Sequence, residues 1–292
     1  MRSTLDQDQA DLVIPTLDQL VEEISELHPL PAVATSILRL TEHDRFSAHE
    51  LASAITADQA LTAKLLRLAN SAYYGFPRTI GTVRDAVVLL GFRTVRSTTL
   101  ASCVIGTLSR ANHLNYDEFW HFSVSTGMLA EMLARTEGVH QDTAFTAGVL
   151  HNVGLLAIDQ QRPDLLGAAL SRTQESGLSR HDAQREVLGF TDAQLGGALA
   201  EAWAFPEDLS VAIRDHAMPL DTLPDPKSLT AFVLRARLLV RSHGVADGIE
   251  YPERTDLPPE WTAPPLSVTL KRSGGMEGVL DKVDAFLEST VR

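Results

Sequence analysis

Apolar residues recur along most of the chain at i, i+3, i+4 and i+7, and few stretches alternate in the manner of a half-buried strand. The pattern predicts an all-α protein. Helix-start signals support it, because Thr16, Ser47 and Thr191 are each followed three residues later by Gln19, Glu50 and Gln194, whose side chains reach back to the cap. The first helix is expected over 17–27, with Leu17, Leu20, Val21, Ile24 and Leu27 on one face, and ends at His28-Pro29-Leu30-Pro31. A second follows over 32–40, a third after Ser47, and a fourth after Asp58 with Leu61, Leu65, Leu68 and Ala72 in one stripe. Helices over 83–90 and 95–108 are separated at Gly91, whose missing Cβ lets the backbone turn.

A second block begins near Tyr116 and runs to Glu137, then continues as one helix from Asp142 past Leu156. Further helices are expected over 163–175, 179–188, 191–204, 207–216 and 227–243. Five prolines (Pro252, Pro258, Pro259, Pro264, Pro265) mark 245–275 as irregular, and Trp261 within it is either a packing anchor or an exposed contact. A last amphipathic helix carries Val279, Leu280, Val283, Phe286 and Leu287. The expected organisation is a tail over 1–16, an N-terminal helical subdomain over 17–110, a second over 111–244, the Pro-rich segment over 245–275 and the final helix over 276–292.

With 44% hydrophobic and 22% charged residues, the 292-residue chain buries a sizeable core and is not intrinsically disordered. Its single cysteine, Cys103, closes no internal disulfide and points to a reducing, cytoplasmic setting. That residue lies in an apolar helical context that favours an inert thiol over a nucleophile. The polar, acidic N-terminus lacks a secretory pattern, and the longest apolar run, 86–90, is far short of the roughly 20 residues of a membrane span. Net charge is −13, yet 59–103 holds Lys64, Arg67, Arg78, Arg84, Arg93 and Arg96 against one acid, Asp85. These bases are either solvated helix faces or a patch for an acidic partner or a nucleotide phosphate, while the acidic remainder argues against general nucleic-acid binding. No nucleophile elbow, Walker loop or dinucleotide fingerprint occurs. Among ten histidines, His121 in Phe119-Trp-His-Phe-Ser123 and His151 ahead of Asn152 stand out by context, although a histidine on an apolar face is more often a core residue than a ligand.

Three runs in the first block, His28 to Val33, Ala57-Asp-Gln-Ala-Leu-Thr-Ala-Lys-Leu-Leu-Arg-Leu-Ala-Asn-Ser-Ala-Tyr-Tyr-Gly75, and Ile80 to Arg93, together resemble the HDOD family, output-domain relatives of the HD phosphohydrolases. In the second block Phe119 to Ser123, Ala144 to Gly154, Trp203 to Pro206 and Ala212 to His216 follow in the same order. The resemblance covers about 17–220. It implies an N-terminal helical subdomain packed on a degenerate HD-like core, and a bacterial signalling or regulatory module with no established general catalysis.

The resemblance also assigns positions. His121 matches the first metal-binding histidine of active HD enzymes and His151 the dyad histidine, but Asn152 stands in place of the dyad aspartate. A later aspartate falls on Ala236-Arg237. His216 matches the first of a histidine pair whose second member is Ala217, and Asp192 sits where some relatives carry a histidine. Exchanging two carboxylates for an amide and a guanidinium changes the site by about +3 charges, which opposes divalent cations in a low-dielectric pocket. The expectations are therefore no metal cofactor, Asn152 bridging helices as a polar core element, and function through contacts with signalling or regulatory proteins. A metal-dependent phosphohydrolase on a nucleotide or cyclic dinucleotide is the rival. A third reading is a sensor whose Arg237 and histidines hold a phosphate or carboxylate without turnover.

Overall fold

The computed structural model describes residues 13–28, 30–40, 47–71, 74–108, 112–141, 143–219, 222–223, 225–249, 257 and 263–290. Pro252, Pro258, Pro259, Trp261, Ala72, Tyr73 and Asp142, named above, lie outside these. Among the described residues every regular element is helical. The first six helices are α1 (Leu17–Leu27), α2 (Ala32–Leu40), α3 (Ala48–Thr56), α4 (Gln59–Ala69), α5 (Val83–Leu90) and α6 (Phe92–Thr107). Then come α7 (Tyr116–Glu137), α8 (Ala144–Leu150), α9 (Val153–Gln161), α10 (Pro163–Ser176) and α11 (Arg180–Leu188). The chain continues with α12 (Asp192–Ala202), α13 (Glu207–Asp215), α14 (Leu229–Ser242), α15 (Leu266–Arg272) and α16 (Gly275–Thr290).

Local chemistry sets these boundaries. Reciprocal capping boxes form at Thr16/Gln19, Ser47/Glu50 and Thr191/Gln194, and Asp58 accepts from the Leu61 amide to open α4. Gly91, at φ 86° and ψ 149°, ends α5 and starts α6, and the two helices meet at 118°. Asn70 explains the Ala-Asn-Ser run after α4. Its amide donates to the Leu66 and Ile80 carbonyls and accepts from the Ile80 amide at 2.7 Å, which pins the following loop to the helix end.

Two places depart from the sequence reading. The helix expected from Asp142 past Leu156 is broken at His151-Asn152 into α8 and α9. The irregular segment 245–275 contains α15, which starts directly after Pro264-Pro265; proline costs no hydrogen bond before the first helical turn, and Leu266 is buried.

Helix α7, about 33 Å long at about 1.5 Å per residue, is the axis of the second half. Helices α8, α14, α15 and α16 all pack on it. The α7–α8 crossing is close because it is glycine on glycine, and a Cβ on Gly148 would lie 2.5 Å from the Gly127 Cα. Helix α9 packs on α12 through Gly154, where a Cβ would lie 2.0 Å from the Asp192 carbonyl oxygen. In the first half α2 to α6 form one cluster, while α1 lies on α12. The halves meet where α6 packs on α8 and where α16 reaches both α4 and α7. Asp159 on α9 ties the connection, since its buried carboxylate accepts from the backbone amides of Asn112, His113 and Leu114 at 2.6, 2.8 and 3.3 Å. Among the described residues no single helix is long and apolar enough to cross a membrane; the bent pair α5–α6 passes only when taken together.

Candidate functional site

The break between α8 and α9 leaves His151 and Asn152 in a turn at the centre of the second half, 0% and 2% exposed. His151 donates from Nδ1 to the Gly148 carbonyl at 2.6 Å, and His216, at the end of α13, donates from Nδ1 to the Ile213 carbonyl at 2.7 Å. A carbonyl only accepts, so both rings carry their proton on Nδ1 and present Nε2 as a lone pair. Neither Nε2 has a hydrogen-bond partner among the described residues. The rings meet edge to face, and Phe122 of α7 packs on His151 with centroids 5.6 Å apart.

Burial, and after it the Arg237 charge, pushes the His151 imidazole down to about 3. His216 is also held well below the ordinary imidazole range, by burial first and then by His151 and Arg237. Both are neutral at physiological pH. Arg237 of α14 thus exerts its charge on both rings, where the resemblance put it.

A charged layer surrounds the pair. Asp192, 2% exposed at the start of α12, lies 2.9 Å from His181 Nε2 and 3.4 Å from Arg180 Nε, and its backbone amide donates to Gln184. Burial pushes the Asp192 carboxyl up, but His181 and Arg180 outweigh it and hold the group well below the usual carboxylate range. Arg180 also reaches Asp247 at 3.0 Å, and Arg241 approaches the same carboxylate at 3.5 Å. Sequence reasoning missed Arg180, His181, Arg241 and Asp247. The partners of the Arg180–Asp247 bond are 67 residues apart, and no local pattern announces them.

The site therefore gathers His151, Asn152, His216 and the Arg237 charge, with Asp192 beside them, but not His121. On a helix, one residue is a rotation of about 100°; Phe122 faces His151, while His121 turns to α16, its Nε2 3.5 Å from Asp284. There it lines a cavity of about 370 Å3 with Asp117, Glu118 and Glu288. The bridging role expected of Asn152 is not seen either, since neither amide atom has a hydrogen-bond partner among the described residues; the turn places its side chain in the interior without aligning it to a carbonyl or amide.

An Nδ1–H to carbonyl bond is the arrangement of a metal-ligating histidine, but the other groups do not fit a divalent centre. A neutral amide follows His151, a guanidinium charge acts on both rings, and His121 is turned away. Among the described residues no group of three or more His, Cys, Asp or Glu is placed to hold a metal ion.

The six basic residues are spread over α4, α5, α6 and the loop before α5, and three of them line separate concavities. Arg84 lines an open groove with His49 and Thr82, Arg93 a cleft with Glu131 and Arg135, and Arg96 a small cavity with Leu38 and Leu209. Lys64 is half-buried beside Gly106 of α6, and Arg67 and Arg78 are exposed. Burial pushes the Cys103 thiol up to about 12, which disfavours the thiolate form that a nucleophile needs.

A glycine-locked helix break carrying the buried His151, in ring contact with His216 at the end of α13, lies at the centre of this all-helical module. The HDOD domain pattern matches residues 27–219, and the chain belongs to the HDOD family. Solved structures share the fold. An HDOD domain protein of unknown function from Geobacter sulfurreducens is 23% identical, with 94% of each chain covered and a TM-score of 0.70. A protein from Shewanella amazonensis SB2B named as a candidate phosphohydrolase is 24% identical, covering 93% of this chain and 95% of that one, at 0.69. A protein from Marinobacter aquaeolei VT8 named as a candidate signal transduction protein is 21% identical, covering 96% and 65%, at 0.72. An uncharacterised Treponema pallidum (strain Nichols) protein is 25% identical over 224 residues, 76% of this chain; the chain spans under half of that relative, 44%.

Proposed function

We propose that this chain is a bacterial, cytoplasmic HDOD signalling module that acts through contacts with regulatory proteins and does not hydrolyse phosphoesters. One observation carries the reading: the paired histidines are sealed from solvent and lie under the charge of Arg237, where a hydrolase needs anionic oxygen. His151 and His216 are 0% and 1% exposed. A hydrolytic centre needs open coordination positions and carboxylates that offset the metal charge and fix its water. Here the Arg237 charge opposes a divalent cation at the two neutral imidazoles, and substrate has no approach to Nε2 of either ring.

The test is elemental analysis of protein purified without chelator or histidine tag, run beside phosphate release from nucleotides and cyclic dinucleotides. The reading expects metal below about a tenth of an equivalent and no turnover. Stoichiometric metal together with turnover lost in His151→Ala would establish the hydrolase instead. The contact half is tested with Arg67→Glu and Arg84→Glu, both exposed positions. Capture of a signalling protein that charge reversal weakens is expected, and no capture by either form counts against it.

A further inference from the structure

Where α6 of the first half faces α7 and α8 of the second, the structure holds a cleft of about 110 Å3. Arg93 enters it from α6 and Arg135 from α7, so the two guanidiniums come from different halves of the fold. Between them the lining is rich in donors: the Tyr74 hydroxyl, Thr94, Ser97 and Thr98 from the first half, and the Gln141 amide from the second. Burial raises the Tyr74 phenol well above its ordinary value, and the hydroxyl, hydrogen-bonded to Thr98, keeps its proton. The one carboxylate, Glu131, lies 2.6 Å from Arg135 Nη2 one turn away, which orients that guanidinium in the cleft. Phe145, 6% exposed, forms an apolar wall.

We propose that this cleft binds a phosphate-type oxyanion, clamped between Arg93 and Arg135. Guanidiniums present fork-shaped donor sets that match tetrahedral oxyanions, and neutral hydroxyls and an amide complete such a shell without adding charge. The volume holds several waters and so a single phosphoryl group. Arg135 and Gln141 are exposed at its mouth, which leaves room outside for the remainder of a nucleotide. A bound anion joins α6 to α7 and so couples the two halves. The site is separate from the histidine pocket, and the proposal stands whether or not the protein hydrolyses anything.

The experiment titrates the full chain with inorganic phosphate, and separately with adenosine and guanosine monophosphate, by calorimetry and thermal melting at matched ionic strength against chloride. Saturable binding of at least one probe is expected, weakened about tenfold or more in Arg93→Gln and in Arg135→Gln and unchanged in Arg67→Gln. Arg135→Lys, which keeps the charge near Glu131, is expected to retain the fold and part of the affinity. Binding of phosphate alone assigns the free ion, and binding of a monophosphate alone assigns a nucleotide phosphoryl; both support the site. Absence of saturable binding for all three probes, or equal affinity in the two glutamine variants, overturns it.

Discussion

His151 and His216 meet with ring centroids 4.9 Å apart and planes at 84°, each donating from Nδ1 to a carbonyl of its own helix. Two neutral imidazoles in contact inside the fold, with a guanidinium charge acting on both, make the protein sensitive to acid. Their folded pKa values lie below the unfolded value of about 6.5, so the unfolded chain takes up protons first as pH falls. Stability is then full above about pH 6.5 and declines below it, with His151 continuing to lose stability down to about 3. Asp192, also depressed, adds a loss in the same direction below about pH 4. Denaturant unfolding at pH 7 and pH 5 is expected to differ by about 2 to 4 kcal/mol. A flat profile over that interval would mean that the imidazoles titrate in the fold as they do in the unfolded chain.

The α9–α12 contact makes Gly154 the most sensitive small residue near the pocket. In Gly154→Ala the new methyl would collide with the Asp192 carbonyl and the Gly196 amide, at 2.0 and 2.4 Å, and both are backbone atoms. Destabilisation of about 3 kcal/mol or more is expected. Gly81→Ala, with open space around the added carbon, should change the midpoint far less.

Asp159→Asn keeps the shape but loses the charge and one acceptor oxygen where three backbone amides converge. A loss of about 2 to 3 kcal/mol is expected in urea unfolding. Asp164→Asn, an exposed residue paired with Arg162, serves as the control and should cost under about 1 kcal/mol.

At Asn70 the order of two substitutions is the informative result. Asn70→Ala removes three hydrogen bonds and should cost about 2 kcal/mol. Asn70→Asp sets a carboxylate against the Leu66 and Ile80 carbonyls and should be worse, although its shape is nearly unchanged. Thermal melts of both proteins rank them.

His121→Ala separates this histidine from the buried pair. Its partner Asp284 is 66% exposed, so the contact is screened and its removal should cost under about 1 kcal/mol. The acid sensitivity carried by His151 and His216 should persist in that variant. Unfolding profiles at two pH values decide it.

Features coded by neighbours in sequence were legible. Thr16, Ser47 and Thr191 announce their helices through the residue three positions on, and Gly91 marks the α5–α6 break because few other residues tolerate its φ. The His151-Asn152 break was hidden. Apolar periodicity runs unbroken from Val149 through Leu156, while the turn is set by the approaches of Gly148 to α7 and Gly154 to α12. The resemblance named His151, Asn152, His216 and Arg237, which the fold does bring together. It also named His121, which a single-residue rotation of α7 sends elsewhere. Arg135 and Glu131 carry no motif at all; they matter because α7 happens to face α6.

Helix α16 lies beyond the matched span 27–219, yet it buries Val279, Val283 and Phe286, with Phe286 packed edge to face on Phe145 of α8. The family boundary and the cooperative folding unit are therefore different objects. A fragment cut at residue 219 would bare the apolar sides of α4, α7 and α8 together, and would also lack α14 with its arginines. Such a truncation should aggregate rather than behave as a minimal domain, and a cargo spliced between α14 and α16 would load the very joint that holds front to back.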